Sequence, residues 1–83
     1  MTPTEQMVIS ALRYALDRRS YIMSVTEEYI REMLKGTVSE NFLKVCIDDI
    51  SYEIAERERL HTPNGGLHDW ASLKEDLMAK MNS

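Results

Sequence analysis

From Glu40 to Leu60 the chain runs without a glycine or a proline, and its apolar residues recur at the helical rather than the strand period. Leu43, Cys46, Ile47, Ile50 and Ile54 collect on one face, with Asp49 and Glu53 on the flank of that face, one turn apart. The fragment ISYEIA alternates briefly, but it lies inside the longer helical period and does not read as a strand. A helix of this length must bury its stripe against other elements, which sets what the rest of the chain has to supply.

The flanking segments supply more helices. Thr2, Pro3 and Glu5 form a start signal, with Thr2 as cap, Pro3 in the first turn and Glu5 returning the bond, so a helix is predicted over 3–19. Val8, Ile9, Leu12, Ala15 and Leu16 share its inner face, and Arg19 falls on that face as well. Ser24 with Glu27 reads as a second capping box and Gly36 as a stop, giving 25–35, with Val25, Tyr29, Ile30, Met33 and Leu34 as its apolar side. Thr37 with Glu40, or Ser39 alone, can cap the long helix over 40–60. Only 3 Gly and 2 Pro occur, and most of them fall in TPNGG, the one strong break. Beyond it Asp69 can cap a last helix over 70–81, anchored by Trp70 with Leu73, Leu77, Met78 and Met81. The expected fold is all-α, a compact bundle of about four helices forming one domain over 1–83.

At 83 residues the chain matches one small domain, a size that hides only about 60% of the unfolded surface and leaves little material for a deep pocket. The net charge of −4 gives no overall attraction to a polyanion. Cys46 is the single cysteine and sits in an apolar run, which excludes an internal disulfide framework. No apolar run approaches the roughly 20 residues of a membrane span, and MTPTEQ lacks the basic start of a signal peptide, so a cytoplasmic location is expected.

Candidate sites follow from side chains that the helical pattern leaves over. Arg19, on an apolar face, needs an acceptor, and Asp49 or Glu53 is the expected partner in a structural ion pair. Arg13, Arg18 and Arg19 point in three directions and do not make a phosphate-binding patch. Asp48, Asp49, Glu53 and Glu56, with Glu27, Glu28 and Glu32, form carboxylate faces that suit a basic partner, or else solvated faces with local pairs such as Glu53 with Arg57. His61, His68, Asp69 and Cys46 lack the close ligand pairs of a zinc site, so no metal and no cofactor are expected. No constellation supports catalysis, and the chain is not expected to be an enzyme. Tyr14, Tyr52 and Met7 lie off the inner stripes. Tyr14, Arg18 and Tyr52, with Asp48 and Glu56, are therefore the expected contacts to a protein partner, which could include a second copy of the chain.

Residues 11–22, ALRYALDRRSYI, resemble a segment of the form ALRYALGRRTYI found in small proteins of bacteriophages and mobile elements. Tyr14, Arg18, Arg19 and Tyr21 match it, while Asp17 replaces a glycine and Ser20 a threonine. The resemblance implies a phage-encoded protein that binds a host or phage protein in the bacterial cytoplasm, and it brings no activity with it. Two other readings stand beside this one: a nucleic-acid-binding regulator of helix-turn-helix type, and an acidic inhibitor of a host nuclease or defence system.

Overall fold

A computed structural model describes residues 1–18, 22–60 and 67–83. Its helices are α1 (Pro3–Arg18), α2 (Ile22–Met33), α3 (Glu40–Arg59) and α4 (Leu67–Met81), in a bundle with a Cα radius of gyration of 12.1 Å. No strand occurs among the described residues, and none of their helices is long and apolar enough to cross a membrane.

The start of α1 is the expected capping box. The backbone N–H of Thr2 donates to Glu5 Oε1 at 2.9 Å, and the N–H of Glu5 donates to Thr2 Oγ1 at 3.1 Å. At the start of α3 the cap is Ser39, not Thr37: its extended backbone (φ −74, ψ 150) leaves its hydroxyl to accept from the N–H of Phe42 at 3.3 Å.

Two helix starts differ from expectation. α2 begins at Ile22, so Ser24 lies inside the helix rather than capping it; Ile22 and Met23 tolerate helical geometry and nothing there opposes another turn. α4 begins at Leu67, which moves Asp69 from the cap into the first turn, where its charge still complements the helix dipole. The end of α2 tightens through N–H donation from Lys35 to the Glu32 carbonyl at 3.2 Å and from Gly36 to the Met33 carbonyl at 3.1 Å. A Cβ on Gly36 would make only an ordinary 3.8 Å contact with the Met33 carbonyl, so the backbone there does not demand glycine.

The core joins Val8, Ile9, Leu12, Ala15 and Leu16 of α1 to Phe42, Leu43, Cys46 and Ile50 of α3 and to Trp70, Leu73 and Leu77 of α4. Among the described side chains of α2, Ile30 alone joins the fully buried apolar set, with Met33 packed partly against it. The expected apolar side of α2 holds at Ile30, Met33 and Leu34 and is corrected at its other two members. Val25 and Tyr29 are exposed, while Thr26 and Ile30 are buried. Turning Val25 and Tyr29 inward would carry Glu32 toward the core; the observed roll keeps Glu28 and Glu32 in water at the cost of burying a threonine. Arg31 then faces α4, where it pairs with Asp76 and donates from Nη2 to Ser72 Oγ at 3.3 Å.

Candidate protein-interaction face

Several polar groups that look functional in sequence are fasteners of the fold. Arg57 is 1% exposed; its Nε donates to Glu53 Oε1 at 2.7 Å and its Nη2 to the Leu16 carbonyl at 3.2 Å. That carbonyl belongs to the last turn of α1, whose final acceptors have no partner inside the helix. Closure of α1 onto α3 by arginines is thus present, and the described ones are Arg57 of α3 and Arg13 of α1. Glu53 is held by Arg57, and Asp49 accepts from Arg13 Nε at 2.7 Å. Arg19, expected to pair with one or the other of these acids, lies outside the described residues.

The residues expected to bind a partner separate onto different surfaces. Tyr52, 69% exposed, lies in the α1–α3 groove with Arg13, Asp17 and Asp49. Asp48 lies between α3 and α4, beside Lys44, Met78 and Met81. Glu56 accepts from both Nε and Nη2 of Arg59, at 3.2 and 3.1 Å, and this pairing holds its carboxyl below the ordinary range. Tyr14 is half exposed on α1 and lines neither of these grooves. Arg18 ends α1, and its side chain lies outside the described set.

What the fold does bring together is a face that the sequence pattern did not assemble. Met7 and Ala11 of α1 and Val25 and Tyr29 of α2 border a groove of about 230 Å³ whose floor is Val8 and Thr26. Met7 is 66%, Val25 65% and Tyr29 53% exposed. Scattered single apolar residues on a surface need no explanation, but three large ones around a common groove form a patch of the sort that marks an interaction site. Met7 could be found from sequence because it lies off the inner stripe. Val25 and Tyr29 could not, because the roll of α2 about its axis decides their exposure.

Burial pushes the Cys46 thiol up to about 12, with the nearby Asp49 carboxylate adding to the effect, so the thiolate needed for nucleophilic work is not formed near neutral pH. Among the described residues no three His, Cys, Asp or Glu side chains converge to hold a metal ion. Of the residues considered as ligands, His61 and the side chain of His68 lie outside the described set.

Compared with protein-family models, with curated proteins and with solved structures, the chain gives no match.

Proposed function

We propose that this chain is a non-enzymatic protein-interaction module that binds another protein through the α1–α2 face. The observation that carries this reading is the contiguity of Met7, Val25 and Tyr29, each more than half exposed around one apolar groove. A methionine and a tyrosine suit such a surface: the first adapts its shape, and the second offers a broad apolar body with a polar tip. The resemblance of residues 11–22 to phage and mobile-element proteins supports a phage-encoded origin and a host or phage protein as the partner. A nucleic-acid role has less behind it: Arg57 is buried, and Arg13, Arg31 and Arg59 are spread over different helices, each beside a carboxylate, rather than gathered in one basic patch.

A photo-crosslinking residue at position 25, with a control at exposed position 58 on α3, tests the reading in bacterial lysate. One discrete, saturable protein adduct is expected from position 25 and none from position 58. Equal, diffuse labelling from both positions would contradict it.

A further inference from the structure

The walls of the groove restrict what can occupy it. Both are helices whose backbone groups are already bonded along their own axes, so an extended peptide would find no sheet edge to pair with. A helix satisfies its own backbone and needs from its receptor only shape and apolar contact. Met7 to Ala11 and Val25 to Tyr29 each advance about 6 Å, so the wall on either side is about one turn between residues and matches the spacing of anchors on a docked helix.

The charge on the two edges is unequal. Along the outer edge of α2 stand Glu28 and Glu32, both exposed, whereas on the outer edge of α1 Gln6 and Ser10 are neutral and Arg13, one turn on, is paired with Asp49 of α3. Lys35 pairs with Glu32 at 2.7 Å, but the two side chains are 72% and 71% exposed, and such a pair is weak and readily exchanged. A second copy of this chain would bring to these two carboxylates, among its described groove-edge side chains, Lys35 alone, which its own Glu32 already holds. A partner with a basic edge would meet both.

We infer that the occupant is an amphipathic α-helix of a partner protein, with apolar anchors at helical spacing and a row of Lys or Arg along the edge lying over α2. This rests on the reading of the α1–α2 face as the interaction site and adds the chemistry of what that site accepts.

The test uses the full chain and labelled synthetic peptides of about 18 residues, five turns of helix. One is a leucine–lysine helix with lysines on one flank, one its twin with glutamates in their place, and one a scrambled leucine–lysine sequence. Fluorescence anisotropy at physiological salt is expected to show the lysine helix binding at least about tenfold more tightly than either of the others. Val25→Ser with Tyr29→Ser removes that binding. Glu28→Lys with Glu32→Lys reverses the preference toward the glutamate twin, and a melting curve for each variant confirms that it is folded. Equal binding of the lysine and glutamate helices, binding of the scrambled peptide as tight as that of the lysine helix, or concentration-dependent self-association that the lysine helix does not compete away would each overturn the inference. Capture of a protein at position 25 with no peptide binding overturns the helical, basic occupant alone. Peptide binding with no capture counts against the interaction reading instead.

Discussion

Glu5 and Ser39, 34 positions apart, share one carboxylate: the backbone N–H of Ser39 donates to Oε2 at 2.8 Å and its hydroxyl to Oε1 at 2.9 Å. Because Glu5 also accepts from the N–H of Thr2, a single buried side chain closes the N-terminus of α1 and positions the cap of α3.

This arrangement makes the fold sensitive to acid. The N–H groups of Ser39 and Thr2, together with the Ser39 hydroxyl, hold the Glu5 carboxyl below its ordinary 4.5. A carboxyl depressed in the folded state stabilises it fully above the unfolded value and stops doing so as pH falls through the folded one, so the loss develops below about 4.5. Glu5→Gln is expected to lower the melting temperature at neutral pH and to flatten its decline over the acid limb of a melting series. An unchanged acid limb in that variant would contradict the assignment. Ser39→Ala costs about 1 kcal/mol as a lost cap, and the double variant costs less than the sum of the two because they share hydrogen bonds.

Arg57 supports the opposite end of α1. Arg57→Ala leaves the Leu16 carbonyl and the Glu53 carboxylate without their partner and empties the space of the buried stem, with an expected cost of about 3 kcal/mol in a urea titration. Arg57→Met keeps most of the stem and costs less. If Arg57→Ala proves as mild as Arg59→Ala, which removes an exposed pair, the guanidinium is not fastening the two helices.

How far these features could be read in advance depended on their range. The Thr2–Glu5 box, the inner face of α1 and the unbroken span of α3 are local patterns, and periodicity and capping chemistry disclose them. The Ser39 bond to Glu5 joins residues remote in sequence, so the box alone could not reveal that its acid serves two helices. Glu53 and Arg57 were legible as neighbours one turn apart, but that spacing says nothing of depth, and the pair reads as surface decoration until α1 is laid over it. On α2 the inward stripe around Ile30 could take in Val25 and Tyr29 on one side or Thr26 on the other. Hydrophobicity favours the first and the need to keep Glu32 in water the second, and this conflict hid the candidate face.

The thiol of Cys46 provides an independent check on the core. Fully buried and raised to about 12, it is expected to resist a thiol reagent at neutral pH in the folded chain, reacting only as fast as the core opens, and to react at once in denaturant. Rapid labelling of the folded chain would mean that the packing of α3 against α1 and α4 is looser than described.

The dispersal of the described arginines over different helices carries an expectation for nucleic acids. In a mobility-shift assay at about 50 mM salt, where phosphate contacts are strongest, duplex DNA and single-stranded RNA are expected to remain unshifted. A salt-sensitive shift at low micromolar protein would restore the regulator reading.

The orientation of α2 is what creates the proposed face, and paired substitutions test it most directly. Val25→Ser with Tyr29→Ser should cost clearly less stability than a core truncation, because more than half of each side chain is already in water, while abolishing capture of the partner identified by crosslinking. Ile30→Ala, on the buried side of the same helix, should cost about 3 kcal/mol. Loss of capture without a core-sized loss of stability in the serine variant is the predicted result. A serine variant that melts like Ile30→Ala, or one that retains full capture, would contradict the account.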